Sequence, residues 1–358
     1  MRRTSALIVG GGPAGAAAAI ALARSGTMPV VIERSESERD VVCGGFLGWD
    51  ALAALRRLGV DPAALGARPI HRLRLIDGKR TIETDLPQAA AGLSRRRLDG
   101  TLLRRAEEAG ASVLRGRAAR ALDEGCVRLD DGEALTGDAI FLATGKHELR
   151  GAARELGGKD GAVGLRTALA PSPALDGCLA GTIELHLFDR GYAGLLLQED
   201  GSANFCLSIA RSRLAEAGGP QALIADLIAE APRLAARLDR VPSQWEAVAG
   251  VPYGWRAREG EAGLFRLGDQ AAVIASLVGD GIAIALNSGM AAASSYMGSG
   301  PGAAIAFQRD FSAQAARPVR LAEALRALAE HRGRRRLFMA LARVPGVTRA
   351  AARLTRIG

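Results

Sequence analysis

The residues with the clearest chemistry lie near the start of the chain, and most of them are glycines. Residues 6–33 read ALIVGGGPAGAAAAIALARSGTMPVVIE: an apolar run, a glycine turn, an alanine-rich segment and a second apolar run that ends at Glu33. In this spacing Gly10 permits a tight turn, Gly12 lets the backbone approach a pyrophosphate, and Gly15 lets a helix pack on the strand. The start of that helix offers N–H groups to phosphate oxygens, and Glu33 is placed to accept hydrogen bonds from a ribose. The pattern predicts a dinucleotide site; the alternative is a glycine turn in another kind of α/β unit.

A second segment carries an acid and a glycine turn where α/β sheets bind ligands. Residues 264–267 are predicted to form a strand that leads into Asp269, and the turn 279–281 opens a long helix predicted over residues 282–297. Asp269 can bond a chain of hydroxyls, and the N-terminus of the helix can point at an anionic ring. The alternative is a purely structural strand, turn and helix.

These segments need a sheet and helices to position them, and the chain supplies elements in two patterns. The first 150 residues alternate predicted strands and helices, with a hairpin signal at Asp77 and Gly78 between strands at 73–76 and 81–84. Apolar runs at 183–188, 192–197 and 204–209, followed by a helix at 221–230, predict an antiparallel sheet. Near residue 263 the first pattern returns, and two helices are predicted to end the chain.

The predicted fold class is therefore α/β. It comprises a Rossmann-like nucleotide-binding domain, an inserted antiparallel β-sheet substrate domain and C-terminal helices. The predicted boundaries are residues 1–150 and 263–300 for the two parts of the nucleotide-binding domain, 151–262 for the substrate domain, and 301–358 for the C-terminal helices with their arginine-rich tail.

Composition narrows the class of protein. The 358 residues are 48% apolar, which is enough for a large core. No apolar run reaches about 18 residues, so no transmembrane helix is predicted, and no targeting segment is expected. The four cysteines lie far apart without a CxxC pair. We therefore expect no disulfide framework, no metal site and a reducing cytoplasmic location.

The net positive charge of the chain comes from its last 42 residues, 317–358. Residues 317–358 hold eleven arginines against two glutamates, a balance of +9 that equals the net charge of the whole chain. One interpretation is a solvated arginine-rich helix. The other is contact with an anionic membrane surface, which would make the protein peripheral to the membrane, or with an acidic carrier protein. Nucleic acid is not expected, because the tail has a single aromatic residue, Phe338, among its arginines and the chain has no other basic patch.

Together, GGGPAG with Glu33 and the later LFRLGDQAAVIASLVGDGIAIALNSG resemble the FAD-containing aromatic hydroxylase superfamily, and within it the geranylgeranyl-reductase-like branch. The resemblance extends over nearly all of the chain to residue 300. It implies a glutathione-reductase-type FAD-binding fold with FAD as the cofactor. It also implies that Asp269 bonds the pyrophosphate–ribityl region, that the 279–282 turn lies along the flavin ring, and that Arg95 lies against the cofactor. The implied cofactor residues are Gly10, Gly12, Pro13, Ala14, Gly15, Glu33, Arg34, Gly44, Gly45, Arg95, Ala143, Gly145, Asp269, Gly279, Gly281 and Ile282.

Three departures from the superfamily pattern affect what the resemblance implies. Ala275 stands where the family usually has a proline beside the flavin. Thr144 stands where many hydroxylases have an Asp-Gly motif that is associated with the use of pyridine nucleotides. The resemblance therefore does not decide whether NAD(P)H is the electron donor. The sequence VCGGF at 42–46 resembles the reductase branch rather than the hydroxylases.

Four residues are candidates for the substrate chemistry. With Gly44 and Gly45, Cys43 would place a thiol near the flavin, where it can donate a proton during alkene reduction; the alternative is a small, buried, inert residue. Tyr192, in a segment that resembles the one facing the flavin, can orient a substrate or donate a proton. Tyr253 and Trp255 are candidates for the cavity wall.

Charged candidates remain open between functional and structural interpretations. His186 and Glu184 alternate on one predicted strand and share a face, and a histidine there is either structural or an acid–base group. Lys146 and His147 follow a strand end and either bind an acidic group or are solvated.

Three functions compete on these observations. The first is an FAD-dependent oxidoreductase that acts on an apolar polyketide- or isoprenoid-like substrate by hydride transfer from reduced flavin. The second is a flavin monooxygenase that hydroxylates a phenol- or quinone-like ring with NAD(P)H and oxygen. The third is a flavoprotein without catalysis, or one that only transfers electrons.

Overall fold

Two β-sheets and a C-terminal set of helices make up the computed structural model, which describes residues 2–155, 161–238 and 241–357. The strands are β1 (Arg2–Val9), β2 (Val30–Glu33), β3 (Phe46–Leu47), β4 (Arg68–Asp77), β5 (Arg80–Gly92), β6 (Ser112–Arg115), β7 (Ala119–Asp123), β8 (Cys126–Leu129), β9 (Ala134–Leu142), β10 (Ala162–Leu169), β11 (Gly181–Phe188), β12 (Gly191–Leu197), β13 (Ala203–Ile209), β14 (Glu246–Val251) and β15 (Leu264–Arg266). The helices are α1 (Pro13–Arg24), α2 (Trp49–Arg57), α3 (Arg95–Glu108), α4 (Pro173–Leu179), α5 (Arg211–Ala217), α6 (Pro220–Glu230), α7 (Pro232–Ala235), α8 (Gly281–Ser299), α9 (Ala303–Glu330), α10 (Arg332–Ala342) and α11 (Val347–Leu354), with short 3-10 turns at Gly268–Gln270 and Ser276–Val278.

The first sheet has the order β6-β2-β1-β9-β8-β7, and β15 also pairs with β9. Strands β6, β2, β1, β9 and β15 run parallel, whereas β7 and β8 form an antiparallel hairpin beside β9. The carboxyl ends of β1, β2, β9 and β15 therefore meet at one edge of the sheet. This arrangement confirms the predicted Rossmann-like class and brings the two glycine turns to a single edge.

Helix α1 is rich in alanine because neighbouring elements approach its backbone closely. A Cβ on Gly289 of α8 would lie 2.3 Å from the Ala14 carbonyl oxygen, so α8 crosses α1 at a distance that only glycine allows. Every residue of α1 from Pro13 to Ile20 is buried. The two helices that begin at the glycine turns thus pack rigidly against each other.

The second sheet has the order β14-β10-β13-β12-β11-β4-β5-β3 and is antiparallel except between β4 and β11. The predicted strands near 183–188, 192–197 and 204–209 form its centre as β11, β12 and β13. Strands β3, β4 and β5 also join it, so this sheet includes residues 46–92 as well as the predicted insertion. The division of the chain at residues 150 and 262 stays a prediction.

Several elements differ from their predicted lengths. The hairpin at Asp77 has strands of 10 and 13 residues, much longer than predicted. Strands β7, β10 and β14 were not predicted, because their apolar alternation is weak. The chain ends after α8 in three helices rather than the predicted two, since the turn at Gly346 separates α10 from α11. Within the described ranges, every helix is too short or too polar to span a bilayer.

Candidate functional site

One cleft of about 800 Å³ connects the edge of the first sheet with the inner face of the second. Its lining includes most of the residues singled out from the sequence: Gly10, Gly12, Pro13, Ala14, Glu33, Arg34, Cys43, Gly44, Gly45, Arg95, Ala143, Gly145, Tyr192, Tyr253, Asp269, Gly279, Gly281 and Ile282. Gly15 and Trp255 lie outside the lining. Trp255 is instead covered by the Arg154 guanidinium, 5.7 Å from the ring centre, so its expected place at the cavity wall is corrected.

The first glycine turn has the geometry of a phosphate cradle. Gly10 has φ of +107°, and a Cβ there would lie 2.4 Å from the Ala143 carbonyl oxygen. A Cβ on Gly15 would lie 1.9 Å from the Gly10 carbonyl oxygen, so Gly15 supports the turn from behind. At Gly12 the closest neighbour of a Cβ would be the Arg95 Nη2 at 3.5 Å, which leaves open space over the turn. Because no side chain caps α1, its first N–H groups are free to bind an anion.

Glu33 closes the turn from the end of β2. Its carboxylate accepts hydrogen bonds from the N–H groups of Gly11 and Ser35, both at 2.7 Å. The neighbouring Arg34 contacts the imidazole of His147 through Nη2 and Nε2 at 2.8 Å. Burial, together with the charge of Arg34, lowers the pKa of His147. Glu33 and Arg34 are therefore held beside the cradle, where groups that bind a ribose are expected.

Arg95 lies over the same turn as an ion pair with Asp99, one helical turn along α3. The Arg95 Nη2 to Asp99 Oδ2 distance is 2.7 Å. Burial opposes the charge of Arg95, but the Asp99 carboxylate outweighs it and raises the pKa of the guanidinium. The hydroxyl of Ser94 caps α3 by accepting from the Arg97 N–H at 3.1 Å. Arg95 thus keeps a fixed positive charge above the cradle.

The carboxyl ends of β9 and β15 are joined by polar contacts. Lys146 Nζ lies 3.1 Å from Asp269 Oδ2, and this carboxylate raises the pKa of the lysine. The Gln270 amide donates to the carbonyl oxygens of Gly145 and His147 at 2.9 and 3.0 Å. Lys146 therefore binds an acidic group, in agreement with one sequence interpretation, but the group belongs to the protein itself.

The second glycine turn is held by the far end of the chain. Asp280 is fully buried, and its Oδ1 accepts from Arg356 Nη1 at 2.7 Å while its Oδ2 accepts from the Ile357 N–H at 3.1 Å. The Arg356 guanidinium also stacks on Trp49, 4.3 Å from the ring centre. Burial raises the pKa of Asp280 to about 6, although Arg356 opposes the shift. No pattern near Arg356 predicts this contact, and sequence reasoning missed it.

The Cys43 loop lies between the two sheets and is held by the second. The Asn204 amide of β13 donates to the Cys43 carbonyl oxygen at 3.0 Å, and its own oxygen accepts from the Arg166 Nε at 2.8 Å. Arg166, only 4% exposed, also pairs with Asp40 at 3.0 Å. The loop therefore depends on two buried polar residues, Arg166 and Asn204, that sequence reasoning missed because they lie within apolar strands.

Three hydroxyls from separate elements meet in the cleft. Ser276 Oγ lies 2.6 Å from the Tyr253 hydroxyl and within hydrogen-bonding distance of the Tyr192 hydroxyl. Burial raises the pKa of both tyrosines. The two tyrosines were predicted at the cavity, and the structure places them together there. Ser276 was missed, since a serine in a loop has no distinguishing spacing.

Comparison with known proteins relates the first part of the chain to a known domain family. A family model described as an FAD binding domain matches residues 3–150. Residues 3–150 are an FAD-binding domain. The open space at Gly12, the free start of α1 and the carboxylate of Glu33 agree with a pyrophosphate and a ribose at this end of FAD.

Curated relatives of the chain include a quinolone synthase and reductases. The chain is 34% identical over 150 residues to 2-heptyl-3-hydroxy-4(1H)-quinolone synthase of Mycobacteroides abscessus, covering 40% of this chain and 40% of the relative. It is 32% identical over 163 residues to menaquinone reductase of Mycobacterium tuberculosis, covering 42% of this chain and 39% of the relative. The chain thus spans about two fifths of the length of these relatives.

Solved structures share the fold over nearly the whole chain. PqsL of P. aeruginosa in complex with 2-aminobenzoylacetate superposes with a TM-score of 0.73 at 19% identity, over 95% of this chain and all of that one. A geranylgeranyl bacteriochlorophyll reductase-like protein of Thermoplasma acidophilum gives 0.72 at 19% identity, over 97% and 90%. The likeness confirms the predicted fold: an FAD-binding domain joined to a second sheet.

The end of the cleft away from the FAD-binding domain is apolar and is closed by the C-terminal helices. Side chains of β4, β11, α9 and α10 pack together there, including Leu75, Leu185, Met339 and Ala342. The cleft lining at this end includes Leu325, Leu328, Phe338, Leu341, Val347 and Ala351. The arginine-rich tail is therefore a wall of the cleft rather than a detached helix.

His186 and Glu184 lie on the other face of β11, opposite Leu185, which lines the cleft. His186 Nε2 lies 3.1 Å from Glu184 Oε2, and Glu184 also pairs with Arg74 and Arg237. Burial of Glu184 opposes its charge, but these three partners hold the pKa of the carboxyl below its usual range. The arrangement favours the structural interpretation of His186.

Proposed function

We propose that the chain is an FAD-dependent oxidoreductase that reduces an apolar isoprenoid- or polyketide-like substrate by hydride transfer from reduced flavin. The supporting observation is the continuous cleft, in which the FAD-binding edge opens directly onto a chamber walled by leucine, valine and phenylalanine side chains. An apolar molecule gains free energy by leaving water for such a chamber. Bound FAD supplies either hydride transfer or, with dioxygen, hydroxylation.

The roles of the cleft residues follow their positions. The two glycine turns, with Glu33 and Asp269, hold FAD, and Arg95 keeps positive charge near its phosphates. Cys43 lies between the FAD-binding edge and the apolar chamber, where its thiol donates a proton to the reduced substrate. Reduction of an alkene needs such a proton after hydride arrives.

The relatives supply the compounds for a first test. Menaquinone, geranylgeranyl diphosphate and 2-aminobenzoylacetate appear in the names of relatives or structural neighbours. The protein loaded with FAD and reduced photochemically under nitrogen should be reoxidised by the first or second compound, which flavin absorbance records. Absence of reoxidation by every compound under nitrogen contradicts a reductase.

A flavin monooxygenase is the second candidate, favoured by the similarity to the quinolone synthase. In that case turnover requires dioxygen, and isotopically labelled dioxygen appears in the product by mass spectrometry. Steady bleaching of the flavin by NADPH or NADH identifies the electron donor in either case. If substrate neither reoxidises the flavin under nitrogen nor gains oxygen in air, the third candidate, an electron-transfer or non-catalytic flavoprotein, stands.

Substitution of Cys43 separates its chemistry from its packing. For Cys43→Ala we expect product formation to fall about 100-fold, in the range of lost general-acid catalysis, with FAD affinity unchanged. Cys206→Ala is the matched control, because Cys206 also lines the cleft but its pKa is raised to about 12 by burial. Full activity in Cys43→Ala would show that the thiol is only a packing residue.

We also propose that the C-terminal helices bring the protein to an anionic membrane surface, from which an apolar substrate enters the cleft. Leu337, Leu341, Val344 and Leu354 are exposed on α10, α11 and the turn between them, between 42% and 54% of their surface. Exposed arginines lie beside them in the sequence, and Leu341 also borders the cleft. Cationic and apolar side chains side by side are typical of helices that lie in a membrane interface. An acidic carrier protein is the competing partner.

A further inference from the structure

Ser276 occupies a position that no sequence pattern assigns. It begins the short 3-10 turn that precedes the second glycine turn, and its hydroxyl reaches Tyr192 on β12 and Tyr253 after β14. The three side chains come from segments more than 20 residues apart in sequence. The tertiary fold therefore brings them together, at the boundary between the second glycine turn and the apolar chamber.

The hydrogen-bond capacity of this cluster exceeds what it uses internally. Three hydroxyls carry three O–H donors and six acceptor positions, and the two bonds through Ser276 consume two donors. One donor remains. Burial raises the pKa of Tyr192 and Tyr253, so both stay protonated as neutral donors. A neutral donor in an apolar chamber binds an uncharged acceptor oxygen best, because a charged group would lose its hydration there.

The surroundings limit the size and polarity of the bound group. Leu277 follows Ser276 in the turn. Together with Phe338 of α10, it packs against the buried apolar side chains around Tyr192. The chamber beyond is bounded by α9, α10 and α11. A ligand oxygen that bonds to the Ser276 hydroxyl therefore belongs to a molecule whose remaining surface is apolar.

We propose that Ser276, Tyr192 and Tyr253 form a subsite for one carbonyl oxygen of the substrate, so that the ligand is an apolar ketone or quinone rather than a plain hydrocarbon. The subsite names the substrate class for the proposed function. It depends on that function only because both use the same cleft. A site built to donate a hydrogen bond rejects a ligand without the acceptor, because the buried donor is then left unpaired.

The test compares two probes of similar shape on the oxidised protein loaded with FAD. Duroquinone carries two carbonyl oxygens, and durene is the same methylated ring without them. Wild-type protein is expected to bind duroquinone about tenfold more tightly than durene, measured by perturbation of the flavin spectrum. Ser276→Ala is expected to lose that preference by lowering the affinity for duroquinone while the affinity for durene stays unchanged.

Thr348→Val is the matched control, because Thr348 also lines the cleft but bonds to Thr84 away from the cluster. The control should keep the preference for duroquinone, and Tyr192→Phe should reduce it. The subsite is wrong if the wild type binds the two probes equally or not at all, or if Ser276→Ala keeps the preference. It is also wrong if Ser276→Ala loses affinity for both probes alike, since that indicates a change of chamber shape. Binding is measured without turnover, so a protein that shows the preference but reduces no substrate contradicts only the proposed function.

Discussion

Two residues of the first glycine turn, Gly10 and Gly15, have no room for a side chain. Gly15 faces the carbonyl oxygen of Gly10 at a distance that admits hydrogen but no carbon. The residue type at this position is therefore determined by the backbone of the turn rather than by contact with the cofactor, since Gly15 lies outside the cleft lining.

We expect Gly15→Ala to open the turn and abolish FAD binding. A Cβ at 1.9 Å from the Gly10 carbonyl oxygen forces the backbone to move, and overpacking of this kind costs about 1–3 kcal/mol of unfolding free energy. FAD content after purification and denaturant unfolding measure the two effects.

Gly298→Ala is the control for this substitution. Gly298 lies in α8, and a Cβ at this residue would meet no atom within 4 Å. Alanine there favours the helix by about 1 kcal/mol. Normal FAD content in Gly15→Ala would contradict the steric account of the turn.

Asp280 makes the stability of the fold depend on pH. Its folded pKa is raised from 3.8 to about 6, so the folded state binds a proton that the unfolded state has already released in this interval. The contribution of Asp280 to the free energy of unfolding is fully present below about pH 4 and is lost as the pH rises to about 6. The unfolding free energy should therefore contain a term that falls by about 1.4 kcal/mol per pH unit across this window.

Asp280→Asn should remove that term, which denaturant unfolding at several pH values detects. Asp226→Asn, a change on the exposed face of α6, is the control and should leave the pH profile as in the wild type. An unchanged profile in Asp280→Asn would mean that other groups, such as Glu330 with its pKa raised to about 7 by burial, account for the dependence.

At the scale of elements, α10 and α11 combine two surfaces. Their inner sides line the cleft, and their outer sides carry exposed leucines and arginines. Arg335 is an exception, because it turns inward and pairs with Asp77 at 3.0 Å. Deleting these helices would therefore open the cleft as well as remove the outer surface, so substitutions are the cleaner test of membrane binding.

Replacing Arg332, Arg334 and Arg336 together with glutamine should weaken binding to anionic vesicles at low salt at least about tenfold. Each arginine near an anionic surface contributes about 1 kcal/mol. Co-sedimentation with phosphatidylglycerol vesicles measures the loss, and phosphatidylcholine vesicles give the uncharged reference.

The matched control replaces three exposed arginines elsewhere, Arg80, Arg211 and Arg233. It should bind anionic vesicles as the wild type does. Equal binding by the wild type and the tail variant would contradict the membrane proposal and favour an acidic carrier protein as the partner to test next.

At the scale of the whole molecule, the C-terminal segment closes a site that begins at residue 10. Arg356 joins the start of α2, the second glycine turn and the end of the chain through Trp49 and Asp280. Removing one partner of a buried ion pair leaves an uncompensated charge, which is strongly destabilising. The second glycine turn, residues 279–281, therefore depends on a residue 76 positions after Asp280.

We expect Arg356→Leu to weaken FAD binding about tenfold, which corresponds to roughly 1.4 kcal/mol. Titration of the apoprotein with FAD, followed by flavin fluorescence, measures the change. Arg353→Leu changes an exposed arginine of the neighbouring α11 and should bind FAD as the wild type does. If Arg356→Leu binds FAD with wild-type affinity, the ion pair between Arg356 and Asp280 does not affect the FAD-binding conformation of the second glycine turn.

Local sequence was sufficient for the features that depend on nearest neighbours in the chain. The first glycine turn, Glu33, the Asp269 strand end and the start of α8 are local units, because a strand, a turn and a helix N-terminus are set by residues within about 30 positions of one another. The α/β class and a dinucleotide site followed from them, and their resemblance to a known superfamily implied FAD as the cofactor. The strands β11, β12 and β13 were equally predictable, since their apolar runs are strong.

The contacts that complete the site were decided only by the tertiary structure. Ser276 between two tyrosines, Arg166 and Asn204 beneath the Cys43 loop, and Arg356 on Asp280 each join segments far apart in the chain. A buried polar residue in an apolar strand looks ordinary in sequence, because its partner is chosen by packing and not by spacing. For the same reason Trp255, an equally plausible aromatic, lies against Arg154 instead of the cleft. The sequence by itself indicated FAD, through a local motif and the resemblance it carries, whereas the packing of the second sheet and the C-terminal helices decided what lines the rest of the cleft.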